Sequence, residues 1–293
     1  MTGHGETNRV WKEFGHFDTW PTIHSEHTKT RQFYDCRMCS QVIRVASLAL
    51  SLAVSLAVGL HAQSSGATSQ IPFVGCKSDG QVGPLASPKG KAKAIGISSG
   101  DADQLAYYKA ENGFGILAPR GWYCFSTYGS NGSSLFVSPD PINDKELFTS
   151  DWKGFSGPAI QVSVAAGDTS GRFTVAKTIA RVFPERMEFV RDVVSEGIEP
   201  ASSFPTTPYA TDTLQRLGKN IVEFETPAST RGLGTQSRLA INSSPIRGVV
   251  ILFGEEPNLV QLSMRLPSRY QSLGRAVVQQ LEMETADQNS DKE

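Results

Sequence analysis

Residues 246–268 read IRGVVILFGEEPNLVQLSMRLPS. The first eight contain an unbroken apolar run, Val249 to Phe253, as expected of a central strand buried on both faces. Gly254-Glu-Glu-Pro-Asn258 is a turn. Val260, Leu262, Met264 and Leu266 then alternate with Gln261, Ser263 and Arg265, which predicts a strand with one dry and one wet face. Two strands joined by so short a turn pair antiparallel. Ser268 follows as a helix N-cap, with Leu273, Val277 and Leu281 at helical spacing on the inner side. Residues 284–293 read as a polar tail.

Working outward, Lys219–Thr226 predicts another strand, and Pro227–Ser244 a polar loop. Phe173–Phe183 carries Val175, Ile179 and Val182 at helical spacing. Pro184 interrupts that helix because it has no N–H to donate. A second piece carries Met187, Val190 and Val194, with Gly197 as its stop. Ala159–Ala165 reads as a strand. Further back, Leu105–Lys109, Gly113–Ala118, Trp122–Thr127 and Leu135–Ser138 are short strands, the last two joined by an Asn131-Gly132 hairpin turn. This order predicts a single α+β domain over residues 101–283, with a mainly antiparallel sheet covered by helices. Residues 63–100, rich in Ser, Gly, Pro and Lys, read as a linker and irregular arm.

An export signal stands further upstream. Residues 38–63 read MCSQVIRVASLALSLAVSLAVGLHAQ. Arg44 precedes an uncharged apolar run from Val45 to Leu60, which ends in small and polar residues around Ala62. That is the layout of a signal peptide over 38–62, starting near Met38. The run is shorter than the ~20 apolar residues of a spanning helix and is diluted by Ser47, Ser51 and Ser55. A retained anchor is the competing reading. Residues 1–37 are then either an upstream extension outside the true reading frame start or a long N-terminal extension. The expected location is periplasmic or secreted, with no stable membrane insertion after cleavage.

Processing decides the available chemistry. The histidines are His4, His16, His24, His27 and His61, all upstream of the expected cut. The mature chain would lack the commonest general base and metal ligand. His24 and His27 with Cys36 and Cys39 have the ligand types of a zinc site, but the second pair abuts the export signal and leaves no room for a supporting fold. No metal and no cofactor is therefore assigned. Over residues 63–293, 22 Lys and Arg face 24 Asp and Glu. This near balance excludes the basic surface of a nucleic-acid binder. Cys76 and Cys124 remain after processing. An even count in an exported chain points to one disulfide, and two buried thiols are the alternative.

The segment Gly113-Phe114-Gly-Ile-Leu-Ala-Pro119-Arg-Gly121-Trp122 resembles the G-F-x-x-x-x-P-x-G-W opening of PsbP-like domains, the extrinsic photosystem subunits and their bacterial relatives. The downstream element order is similar as well, over about Leu105 to Met283, and the chain is also similar to exported bacterial proteins of unknown function. The PsbP-like resemblance implies an α/β/α sandwich and an accessory or scaffold role rather than catalysis. Metal-associated histidines of some members have no counterpart in the mature chain, so no functional residue is carried over.

Several local patterns are candidate sites. Phe148, Trp152 and Phe155 fall at i, i+4 and i+7, one face of a short helix, as a partner stripe or a cap on the core. In Ser229–Arg238, Arg231, Gly232, Gly234, Thr235 and Arg238 suit an anion-binding loop, because glycine turns present backbone N–H groups and arginines present forks. Ser156 sits in a Gly-x-Ser-Gly turn without a histidine to activate it. Ser150 and Lys153 match Ser-x-x-Lys, but the partner motifs are absent. Glu223 and Glu225 share one strand face, as a carboxylate pair or a wet face. No catalytic residue is assigned. The expected function is an exported, non-catalytic binding or accessory protein of the bacterial envelope, with an envelope protein or a small ligand as partner. A histidine-independent hydrolase and a small-molecule carrier are the alternatives.

Overall fold

The computed structural model describes residues 68–290. The candidate export segment and the His24–Cys39 cluster lie outside the described residues. In chain order the strands and helices are β1 (Thr68–Ile71), β2 (Phe73–Gly75), β3 (Lys77–Gly80), β4 (Lys93–Gly96), α1 (Ser99–Ala102), β5 (Leu105–Lys109), β6 (Ile116–Pro119), β7 (Tyr123–Gly129), β8 (Gly132–Ser138), α2 (Asp144–Leu147), β9 (Ala159–Ala165), α3 (Arg172–Val182), α4 (Met187–Ser195), β10 (Thr213–Arg216), β11 (Ile221–Thr226), β12 (Ile246–Phe253), β13 (Asn258–Arg265) and α5 (Gly274–Ser290).

Eight strands form the main sheet in the order β10-β11-β12-β13-β9-β8-β7-β3. Every pairing is antiparallel except β3 with β7. The two-sided reading of β12 holds. Val249 and Ile251 enter one core cluster with Val277 and Leu281 of α5, while Val250 and Leu252 enter a second with Ile179 of α3 and Val190 of α4. Burying such a side chain stabilises by roughly 1.5–3 kcal/mol, so this strand anchors both layers.

The sheet is covered differently on its two sides. α3 and α4 pack on one. The other is covered by α5 together with a second, three-stranded sheet, β2-β5-β6, rather than by helices alone. The residues expected to form an irregular arm supply part of this cover. β2 pairs parallel with β5, β3 extends the main sheet, and β1 pairs with β4. Their pairing partners are distant in sequence, so composition alone does not reveal them. Cys76, between β2 and β3, is disulfide-bonded to Cys124 of β7. Closing a loop with a sequence separation of 48 residues contributes about 4 kcal/mol in the chain-entropy account. Among the described residues no helix is long and apolar enough to cross a membrane.

Three local expectations are corrected. The β7–β8 hairpin turns at Ser130-Asn131, since Gly129 pairs with Gly132. Gly132 is the first residue of β8 at φ 135°, where an added Cβ would lie 1.8 Å from the Val164 carbonyl oxygen. Ser268 does not cap α5: a 3₁₀ turn over Ser268–Leu273 leads into it, and Pro267 stands before that turn. The expected polar tail is helix as far as Ser290, and Glu284 and Thr285 are built into the fold.

The expected wet face of β13 is also buried. Ser263 and Arg265 are almost fully enclosed. Gln261 Nε2 donates to the Leu233 carbonyl at 3.0 Å, and Gln161 Oε1 accepts from the Arg238 N–H at 2.6 Å. Gln161 Nε2 donates to Ser163 Oγ, which meets Ser134 Oγ at 2.9 Å. Polar side chains tolerate burial when their donors and acceptors are matched. Here the matching comes from within the sheet, from the Phe155 and Gly157 carbonyls, and from the 227–244 loop, which folds over this face.

Candidate functional site

A groove of about 720 Å³ opens at one end of the main sheet. Strand register builds its floor. Thr213 faces Glu225, and Glu225 faces Arg247, so their side chains project from the same side of β10, β11 and β12. One row further along, Gln215 faces Glu223. The start of α5, with Gly274, Arg275 and Val278, forms one wall. The opposite wall is Ser156–Pro158 and Asn242–Pro245, and Arg265 to Ser268 close the end. Phe224, Met264, Leu266 and Val278 give the lining an apolar component. Pro158, Pro245 and Pro267 add to it, and hydroxyl, amide and charged side chains with three glycines make up the rest. A volume in this range suits a small molecule or a short segment of chain.

The charges in the groove differ in how they are satisfied. Arg247 Nε binds Glu225 Oε2 at 2.6 Å, a pair that cancels locally. Arg265 is only 4% exposed, and strand alternation turns its side chain to the opposite face of the sheet from Glu223, Glu225 and Arg247. Its Nη1 donates to the carbonyls of Phe155 and Gly157, both at 3.2 Å, and its Nη2 donates to the Ala240 carbonyl. Its Nε is buried without a hydrogen-bond partner. No carboxylate among the described residues pairs with it, and burial alone lowers its pKa. A guanidinium taken out of water without a counter-charge is costly, so this position is loaded with unsatisfied positive potential.

A second unbalanced position involves acids. Glu223 lines the groove and, among the described residues, forms no ion pair. Glu282 of α5 has one carboxylate oxygen, Oε1, buried without a partner. Burial raises the Glu282 pKa, the nearby Glu223 charge raises it further, and Arg275 partly offsets both.

The sequence-derived candidates fall in several places. Glu223 and Glu225 do share a face, and both line this groove. Ser156 lines it too, but among the described residues no base is hydrogen-bonded to its hydroxyl. Ser150 lies in a turn after α2, with Lys153 in irregular chain beyond it, so no helix holds the two one turn apart.

Phe148, Trp152 and Phe155 are not on one helix: α2 ends at Leu147. Gly154 takes φ 88°, a conformation that leaves the helical path. Trp152 and Phe155 pack on Phe136, edge to face with each other at 5.2 Å, as a cap on the sheet. Phe148 stands apart at 55% exposure. The three therefore do not form one stripe.

The glycine loop cradles an anion of the protein's own. Asp212 Oδ2 accepts from the Leu233 N–H at 2.8 Å, and Oδ1 accepts from Thr226 Oγ1 at 2.8 Å. The Gly234 N–H donates to Thr226 Oγ1 and the Gly232 N–H to Thr235 Oγ1. Arg231 is exposed, and Arg238 lies over the Trp152 ring. The Asp212 carboxylate, from a separate stretch of chain, thus occupies the loop, and the Gly232 and Gly234 N–H groups are spent on threonine hydroxyls. Arg265, which lines the end of the groove, had no sequence-based assignment as a site residue. Arg265 read as a wet-face residue, and its signal was an arginine in strict alternation with core positions.

The chain matches no protein-family model, no curated protein and no solved structure.

Proposed function

We propose that this is an exported binding protein of the bacterial envelope, without catalytic chemistry of its own, that holds a small ligand in the groove between β10–β12 and the start of α5. The observation that carries the reading is the groove itself, about 720 Å³, where Glu223, Glu225, Arg247 and Arg275 line one side of the sheet beside Met264, Leu266 and Val278. The Cys76–Cys124 disulfide supports an oxidising compartment. The order of strands, helix pair, strands and terminal helix supports a PsbP-like layout and the accessory role that goes with it.

Native mass spectrometry of the protein isolated from its own envelope fraction tests this. The expected result is a mass excess of one small ligand per chain, lost in Ser272→Trp, which places a bulky ring at the exposed groove mouth. Ligand-free protein under all growth conditions, or a mass excess that Ser272→Trp leaves unchanged, overturns the reading.

A hydrolase is the second reading. It is favoured by Glu223 and Glu225 lining one groove from one strand, where residues two apart lie roughly 6.6 Å apart along the chain. Glu225 is engaged by Arg247, which leaves it less free than a nucleophile or base needs to be. Turnover of an aryl glycoside that disappears in Glu223→Gln would replace the binding-protein reading with this one.

A further inference from the structure

The two ends of the main sheet are finished differently. At the β3 end, the Ser78 N–H donates to the Leu85 carbonyl at 3.2 Å and the Leu85 N–H donates to the Ser78 carbonyl at 2.7 Å, so that edge is paired. At the other end stands β10, which pairs with β11 alone. Just beyond it, the Leu217 N–H donates to the Ile221 carbonyl at 3.0 Å. Hydrogen-bonded and non-hydrogen-bonded pairs alternate along an antiparallel ladder. Gln215 and Thr213 therefore bond to Glu223 and Glu225, and the N–H and C=O groups of Leu214 and Arg216 point away from β11. Among the described residues these main-chain groups have no hydrogen-bond partner. β10 carries no proline, and its residues are exposed or half-buried. Unpaired main-chain groups along a sheet edge are a template for a further strand.

The groove floor specifies the chemistry of that strand. Gln215 faces Glu223 and Thr213 faces Glu225, so the groove-side residues of an added strand fall in line with these two carboxylates. Glu225 is held by Arg247. Glu223 has no such partner among the described residues, and Glu282 of α5 interacts with it as a like charge. Arg275 lines the same groove, and no ion pair joins it to Glu223 among the described residues. A residue opposite Gln215 stands two inter-strand spacings from Glu223, about 10 Å between Cα atoms. A lysine or arginine side chain there, together with the glutamate side chain, bridges that gap. On the other face the incoming strand meets Leu214, which packs on the α3–α4 core and favours an apolar neighbour. A second copy of this chain fits less well. With β10 paired to itself about Gln215, the groove side receives only Thr213 and Gln215, and neither is a cation.

We propose that the β10 edge takes up an extended segment of a partner protein as a further strand of the main sheet, with a lysine or arginine of that segment on Glu223 and apolar residues beside Leu214. The inference goes beyond the small-ligand reading and does not rest on it. NMR titration of the isotope-labelled protein with acetyl-Val-Lys-Val-Thr-Val-amide tests it, the middle valine falling opposite Leu214 and the lysine opposite Gln215. Saturable binding is expected, with the largest amide shifts at Leu214 and Arg216. Replacing the lysine by glutamate is expected to weaken binding by about 5-fold or more, and N-methylating the middle valine by at least as much. Glu223→Gln is expected to remove the preference for lysine over glutamate and to leave the N-methyl effect in place. Arg216→Pro removes one outward N–H where an edge strand tolerates proline, and is expected to weaken every peptide. The N-methylated peptide makes the same test on the wild type where that variant fails to fold. Equal binding of the lysine and glutamate peptides, equal binding of the parent and N-methylated peptides, or no shifts at Leu214 and Arg216 overturns the proposal. Shifts of these amides on raising the protein concentration alone also overturn it, since a second copy then holds the edge. A mass excess lost in Ser272→Trp reports the groove interior and stands in either case.

Discussion

Tyr107 Oη donates to both carboxylate oxygens of Glu284, at 2.8 and 2.9 Å, and so joins the small sheet to α5. Glu284 also accepts from the Gly115 N–H, from Gln280 Nε2 and from Lys93 Nζ. Lys93 in turn lies over the Tyr107 ring, 4.3 Å from its centroid. Burial and the Glu284 charge hold the Tyr107 hydroxyl protonated far above the ordinary phenol range. Hydrogen bonds to a charged group are worth roughly 1.5–3 kcal/mol, so Tyr107→Phe and Glu284→Gln should each lose that much in urea unfolding. The double variant should lose less than the sum, since the two share one interaction. Deleting residues 284–293 should be at least as damaging as Glu284→Gln, and an unchanged midpoint would restore the tail reading.

Asp212 and Gly232 make the second prediction. A Cβ on Gly232 would lie 1.9 Å from Asp212 Oδ1 and 2.6 Å from Thr226 Oγ1. Gly232→Ala must push the carboxylate out of its cradle, at a cost of about 1–3 kcal/mol. Asp212→Ala strands the Leu233 N–H and should cost a similar amount. Arg231→Ala, on the exposed rim, should stay within roughly 0.5 kcal/mol. A titration in which added phosphate stabilises the wild type but not Arg231→Ala would show that the loop also takes an external anion.

The aromatic cluster separates core from surface. Phe155 touches both Phe136 and Trp152, and its main chain bridges to the 227–244 loop through Arg238 and Ala240. Phe155→Ala should cost about 3–5 kcal/mol. Phe148→Ser should change stability by less than roughly 0.5 kcal/mol, because its ring is largely in water already. Equal losses from the two would mean that Phe148 is packed in solution.

These contrasts show where pattern reading succeeds. β12 was legible because both of its faces meet apolar layers, and a run such as Val249–Phe253 has one economical fate. β9 and α3 were legible for the same local reason. The enclosure of Ser263 and Arg265, and the bond from Gln261, were not, because the partners of Gln261 and Arg265 are the carbonyls of Leu233, Phe155, Gly157 and Ala240, which periodicity cannot locate. The arm strands and Glu284 share that difficulty: each is fixed by a pairing across the chain rather than by its neighbours. Within the groove, the Glu223–Glu225 face followed from strand alternation, while the approach of Arg275 and Val278 from α5 depended on tertiary placement.

Glu282 provides the pH-dependent prediction. Its carboxyl is raised above the ordinary 4.5 first by burial and then by Glu223, with Arg275 pulling the other way. The folded state therefore holds this proton more tightly than the unfolded chain does. That contribution to stability is fully present below about 4.5 and is lost as pH rises through the folded-state value. Glu282→Gln stays neutral throughout and does not undergo this loss. Its thermal midpoint should match or trail the wild type near pH 4 and exceed it at pH 7, with the gap opening between. Glu223→Gln should open a smaller gap of the same sign, since it relieves only the second cause. A Glu282→Gln difference independent of pH would mean that the carboxylate finds water or a cation in solution.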